Sequence, residues 1–333
     1  MNHLALRETG PKHGRLHKTM KSPTTFLVDQ MPIAILVVMC LIAGLLTERF
    51  LSPINLTNIL LQASVMAIVA MGMTFVVVSG GFDLSVGSTV ALAGCVATWV
   101  ITKAGVTLGL AAGMAVGAGV GLINGFCVAK LRISPFITTL GTMVVMRGFA
   151  LLMTDGRPIV GDDDGFPNLF LALGRDKLFG VQILILVPIV LFFALYWLLH
   201  MTAYGRRVFA SGGGSEASFL AGIKVDRITM SAYVWCGLLA GVAGFMLASR
   251  LQSGQPTAGE FYELTAIAAV VLGGASLSGG EGSLVKSVIG VFIMVVLANA
   301  LNLLNVHSYW QRIAVGVVII AAAAADQIRT RRR

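Results

Sequence analysis

Of the 333 residues, 56% are hydrophobic and 12% charged, where soluble domains carry about 25% charged residues, and the mean hydropathy is +0.87. That composition excludes a soluble enzyme and predicts an all-α integral membrane protein, with 39 glycines that let helices approach closely in lipid. The formal charge of +9 does not mark a nucleic-acid partner, because the basic residues lie at the chain ends and in short loops rather than in one stripe.

Residues 1–29 are a basic, polar tail. It is too long and polar for the leading segment of a signal peptide, and no small-x-small cleavage pattern follows the first apolar run, which is expected to be retained as a span. Apolar runs of crossing length begin with 31–47 and 58–79. The second ends in Ser79-Gly80-Gly81-Phe82-Asp83-Leu84-Ser85-Val86-Gly87-Ser88, whose glycines and serines predict a break. Backbone that leaves helical geometry near the hydrocarbon must find partners in protein or line a wet cavity. Asp83, inside the break, is a group that costs roughly 2.5–3.5 kcal/mol to insert. It either caps a helix starting near Ser85 or faces a solute path.

A shorter run, 85–102, follows the break, then 106–129 and 133–153. Arg147 lies in the last of these; its stem either snorkels to the interface or its charge pairs with Glu263 or Asp83 across a path. Asn124, Asn299 and Asn302 read as interhelical hydrogen-bonding groups, and His200 and His307 as interfacial residues at span ends. The outer loop, about 154–180, holds Asp162, Asp163 and Asp164 without the alternating ligands of a calcium loop, so no metal is expected.

After the run 181–201 comes the loop 205–227, with three glycines at 212–214 to free the chain. Ser215 can cap a short helix, Glu216 suits its positive end, and Gly222 supplies a left-handed stop. Glu216, Ala217, Phe219, Leu220, Gly222 and Ile223 make up this segment, with Phe219, Leu220 and Ile223 as an apolar ridge. So short a helix is unstable alone; the ridge packs on the protein's own spans or enters a partner's groove.

The last runs are 228–248, 262–277, 284–304 and 310–326, the last of which carries Arg312. The run 262–277 carries Glu263 and leads into Leu272-Gly273-Gly274-Ala275-Ser276-Leu277-Ser278-Gly279-Gly280-Glu281-Gly282-Ser283. Corresponding breaks in two halves of a chain point to a substrate path. Its candidate residues are Gly80, Gly81, Asp83, Ser85, Gly87, Arg147, Glu263, Gly273, Gly274 and Ser276. Ten spans put both termini on one side, and with that side cytoplasmic sixteen of the 24 basic residues lie inside. The expected organisation is a cytoplasmic tail over 1–29, one transmembrane domain over 30–327 with the inner loop 205–227, and a basic cytoplasmic tail over 328–333.

Cys40, Cys95, Cys127 and Cys236 sit in apolar runs without CxxC spacing. No Ser/His/Asp or Cys/His constellation, HExxH or phosphate loop is present, so neither catalysis nor a cofactor is expected. Any nucleotide-driven motor must be a separate protein. An ion-coupled secondary carrier using Asp83 and Glu263 is the alternative.

From Pro53 to Asp326 the sequence resembles the membrane subunit of bacterial ATP-binding-cassette importers for sugars, the ribose-type permease family. The resemblance rests on GGFDLSVGS at 80–88, SEASFLAGI at 215–223, QPTAG at 255–259 and AIAAVVLGGASLSGGEGS at 266–283. Ser215 and Ser218 stand where that family usually has Asn and Ala, and Phe82 where it has an aliphatic residue. The resemblance implies import of a monosaccharide across the bacterial inner membrane. It also implies a second permease copy, cytoplasmic ABC ATPase subunits that grip 215–223, and an extracytoplasmic sugar-binding protein.

Overall fold

Each apolar run forms a helix, and the computed structural model describes residues 23–161 and 165–331. Most of the basic N-terminal tail, Asp162 to Asp164 and the last two arginines lie outside the described residues, together with the expectations made for them. The helices are α1 (Pro23–Leu46), α2 (Pro53–Val78), α3 (Val86–Ala104), α4 (Val106–Ala129), α5 (Pro135–Thr154), α6 (Asn168–Arg175), α7 (Ile183–Tyr196), α8 (Ala203–Gly213), α9 (Ser215–Leu220), α10 (Val225–Leu251), α11 (Tyr262–Leu272), α12 (Leu284–Leu303) and α13 (Ser308–Arg331). A π-helical turn, Trp197–Met201, continues α7, and the strands β1 (Lys177–Leu178) and β2 (Val181–Gln182) form a small antiparallel hairpin. Among the described residues seven helices are long and apolar enough to cross a membrane, and three shorter apolar helices accompany them. The protein is an all-α multi-pass membrane protein.

Small residues decide the packing. Gly113, Gly117, Gly121 and Gly125 recur every fourth residue on α4, which lays them in one stripe. That stripe meets Gly237 and Gly241 of α10 backbone to backbone; a methyl added at Gly125 would come within 2.9 Å of the Met230 Cα. Helices this close gain dispersion and weak Cα–H contacts that larger side chains would forbid. α2 is the buried centre, with 89% of its apolar window inside the fold. It is tied to α12 by polar pairs: Thr74 Oγ1 to Ser287 Oγ at 2.9 Å, and a reciprocal amide pair of Asn55 with Asn299 at 3.0 and 2.8 Å. α5 is the opposite case, with only 17% of its window buried and Phe136, Ile137, Val144 and Leu152 exposed.

Four elements differ from the sequence reading. The glycines at 212 and 213 do not free the chain, because α8 runs helical through Gly213 and stops only at Gly214. The outer loop contains α6 and the β-hairpin, α6 held by a Ser249 Oγ bond to the Phe170 carbonyl at 2.6 Å. α10 is longer than the run 228–248 at both ends, since Asp226 and Arg250 sit in its first and last turns and suit the helix dipole. The run 262–277 is helical only to Leu272.

Candidate functional site

The two breaks have one geometry. At the end of α2 the Gly80 amide bonds to the Val77 carbonyl and the Gly81 amide to the Val76 carbonyl, both at 3.0 Å. At the end of α11 the Gly274 amide bonds to Val271 at 2.7 Å and the Ala275 amide to Val270 at 3.2 Å. Each is a glycine-terminated stop in which the reversing residue must be left-handed, and Gly80 and Gly274 hold φ of 89° and 84°. One glycine of each pair, the first of Gly80-Gly81 and the second of Gly273-Gly274, therefore does the same work in the two halves, and the fold brings the halves together. The Gly280 amide donates to the Val78 carbonyl at 2.9 Å, and a methyl at Gly279 would lie 2.7 Å from the Gly80 Cα.

α8 enters the same point. A methyl at Gly212 would lie 2.7 Å from the Gly280 nitrogen and closer still to the Val78 carbonyl oxygen, and one at Gly280 would lie 2.5 Å from the Gly213 Cα. The end of α2, the second break and the end of α8 thus meet with no side chain between them.

Asp83 is buried, 1% exposed. Its Oδ1 accepts from the Ser85 amide at 2.8 Å and the Ser85 hydroxyl at 2.6 Å, which fixes the turn just before α3, although no side chain caps the amides of that helix's first turn. Asn124 of α4 donates to both carboxylate oxygens at 3.3 Å and to Ser85 Oγ at 2.9 Å, and its own oxygen accepts from Thr142 of α5 at 2.7 Å. The carboxylate therefore ties the first break to α4 and α5. Tyr233 of α10 donates to the Phe82 carbonyl at 3.2 Å, and Gly81 makes room for it, since a methyl there would sit 2.6 Å from the phenol oxygen.

A third irregular segment contains the QPTAG run at 255–259, which the sequence did not mark as a break. Between α10 and α11 the chain over 252–261 is non-helical, and α11, at 11 residues, rises only about 16 Å against a hydrocarbon core of about 30 Å. The segment makes up the missing depth by running back along α3. A methyl at Gly254 would lie 3.1 Å from the Cys95 Cα and one at Gly259 would lie 2.6 Å from the Gly87 oxygen, two contacts about 12 Å apart along α3. Its carbonyls need donors at that depth. Arg147 supplies them, with Nη1 bonding the Pro256 oxygen at 2.6 Å and the Ala258 oxygen at 2.9 Å. Arg147 thus spends its charge on backbone carbonyls and forms no ion pair with Asp83 or Glu263 among the described residues. The signal that was available is the cluster Gly254, Pro256, Gly259 ahead of an apolar run too short to cross.

Arg147, Glu263 and the unforeseen Glu260 and Phe261 line one groove of about 490 Å³ with Met143, Val144, Gly148 and Leu151. Glu263 also reaches Gly87, where a methyl would strike its carboxylate. The groove runs along the exposed side of α5. Ser276 lies elsewhere, its hydroxyl accepting from the Ser278 amide at 3.3 Å within the second break. Gly273 packs on α12, where a methyl would lie 2.5 Å from the Lys286 oxygen.

A family model described as the permease component of branched-chain amino acid transport systems matches residues 55–323. Ribose import permease protein RbsC of Bacillus subtilis (strain 168) is 44% identical over 297 residues, 89% of this chain and 92% of the relative. The protein of that name in Escherichia coli (strain K12) is 43% identical over 302 residues, 90% of this chain and 94% of its own. The chain belongs to the ribose-type ABC permease family. L-arabinose transport system permease protein AraH of E. coli (strain K12) is 38% identical to the permease over 298 residues, 89% of this chain and 90% of the relative. No solved structure matches the permease.

On the side of α8 the permease carries α9. Gly214 occupies the position before its first turn and no side chain caps it, so Ser215 starts the helix rather than capping it. The exit is as expected: Gly222, at φ 82°, reverses the chain, and the Ile223 amide bonds back to the Ser218 carbonyl at 3.0 Å. Ser218 Oγ bonds the Ala210 carbonyl of α8 at 2.7 Å, which ties the two helices together. The ridge divides. Ile223 packs against the core, whereas Phe219 and Leu220 are 70% and 80% exposed. Beside them lies a cleft of about 400 Å³ lined by residues that include Glu216, Lys224 and Arg227. There Asp226 pairs with Lys130 at 3.1 Å and Arg132 at 3.0 Å, fastening the α4–α5 turn to the start of α10.

Proposed function

We propose that the permease is the gate through which an ATP-driven importer passes a monosaccharide, a ribose-like pentose or a hexose, handed over by an extracytoplasmic binding protein. The names of the ribose and arabinose relatives support the sugar class. Ten crossings, both termini in the cytoplasm and residence in the bacterial inner membrane fit the basic residues of the α4–α5 turn and of the 205–227 loop on one side. The chain is one transmembrane domain over 30–327 between cytoplasmic tails at 1–29 and 328–333.

The observation that carries the reading is the exposed Phe219–Leu220 pair on a helix joined through Gly212 to both breaks. Two apolar side chains held out on a six-residue helix suit a groove on a cytoplasmic ATPase. Closure of that ATPase on nucleotide shifts α9 and α8 together, and the glycine junction passes the shift to the ends of α2 and α11. A two-state gate of this kind needs closely packed elements with alternative seats. An ion-driven carrier is the weaker reading, since Asp83 is buried and engaged by Ser85 and Asn124 rather than open to a path.

A second permease copy completes the path. Arg147, Glu260 and Glu263 line a groove beside the exposed face of α5, and charge left facing lipid costs roughly 2.5–3.5 kcal/mol per group at the centre of a span. A partner copy across that face encloses the groove and gives solute a polar route.

Replacing Phe219→Ala and Leu220→Ala together removes up to about 1.5–3 kcal/mol of burial at each position in the complex and none in the free permease. The ATPase is expected to be lost from affinity-purified permease, with permease yield unchanged. Full co-purification of the ATPase with the double variant would contradict the assignment.

A further inference from the structure

Phe261 is the one residue of the groove whose backbone and ring are both constrained. Its φ is 65°, a left-handed conformation that bulky residues rarely adopt and that persists where surrounding structure enforces it, often at ligand clamps. The ring is held from outside the groove: the Arg312 guanidinium of α13 lies over it at 5.1 Å from the centroid, a cation–π contact. Phe261 nonetheless stays 41% exposed and borders the groove beside Arg147, Glu260 and Glu263.

These groups match one class of solute. An aromatic face packs against the C–H face of a sugar ring, carboxylates accept from hydroxyls, and a guanidinium donates to them. Arg147 uses only Nη1 on the re-entrant carbonyls; a guanidinium has five N–H donors, so Nε and Nη2 remain for solute. The volume of about 490 Å³ falls in the range of about 300–1,000 Å³ usual for small-molecule sites.

We infer that Phe261 is a stacking platform for the sugar in transit, with Glu260 and the remaining donors of Arg147 meeting its hydroxyls. The inference rests on the importer reading and adds to it the substrate contact. A single stacking face with a few polar groups gives the weak, rapidly reversed contact that passage requires.

The test uses the complete complex of permease, ATPase and binding protein in vesicles, supplied with labelled ribose, arabinose, glucose and galactose. Phe261→Leu, with the same backbone demand but no aromatic face, should cut uptake about tenfold and leave the stimulation of ATP hydrolysis by loaded binding protein within about twofold. Phe261→Trp should keep more than about half of the uptake. Wild-type uptake by Phe261→Leu would overturn the platform. So would equal losses of uptake and of ATPase stimulation in both variants, which would mark Phe261 as a structural residue. No uptake by the unsubstituted complex would remove the importer reading and the platform with it.

Discussion

Gly212→Ala is expected to cut coupled import roughly five- to 150-fold while leaving ATP hydrolysis by the assembled complex running. The added methyl has no space, lying 2.7 Å from the Gly280 nitrogen and nearer to the Val78 oxygen, so it must push α8 away or break the Gly280 to Val78 hydrogen bond of 2.9 Å. Overpacking of this kind costs about 1–3 kcal/mol, which is roughly a five- to 150-fold change in a two-state equilibrium. Because the junction lies between α9 and the breaks, the ATPase should still bind α9 and turn over, and only uptake should fall. Gly119→Ala is the control, since a methyl there meets nothing within 4 Å, and it should import normally. Uptake and hydrolysis measured on the same vesicles separate the two outcomes; normal uptake by Gly212→Ala would mean the junction transmits nothing.

Asp83→Asn should reduce uptake by roughly five- to 150-fold, the equivalent of about 1–3 kcal/mol for mismatched buried polar groups. The carboxylate accepts from Ser85 twice and from Asn124. An amide at 83 turns one acceptor into a donor aimed at the Asn124 amide, which already gives its oxygen to Thr142. The break would then lose its tie to α4 and α5, while the apolar helices that carry insertion are untouched. Membrane-fraction yield should stay at the wild-type level. The exchange Asp83→Asn with Asn124→Asp restores one donor and one acceptor across the contact and should recover part of the uptake. Wild-type uptake by Asp83→Asn alone would sink the tie.

Local signals carried most of the architecture. Apolar run length found the crossing helices, and Gly-Gly followed by Ser marked both helix breaks, because glycine stops and span lengths are properties of short sequence. The bond of Asp83 to Ser85 is local too, the two residues being two apart in the chain, but it fixes the turn ahead of α3 and does not cap that helix. What the sequence could not disclose depends on residues far apart in the chain. Nothing near Arg147 says that its guanidinium ends on carbonyls 109 and 111 residues away, nor does anything near Gly212 announce Val78. α8 stays helical through Gly212 and Gly213 because neighbouring backbone fills the space where side chains would be, a tertiary effect that overrides the low helix propensity of glycine. The loop 252–261 contains the QPTAG run that marks the family resemblance, but nothing local in it announces contacts with Gly87 and Cys95 of α3. Only the shortness of α11 hinted that it returns into the fold.

The most direct test reconstitutes the permease in vesicles twice, once alone with proton and sodium gradients imposed and once with its ATPase and loaded binding protein. Sugar should accumulate only in the second preparation and only with ATP. Accumulation by the permease alone, driven by an ion gradient, would contradict the account.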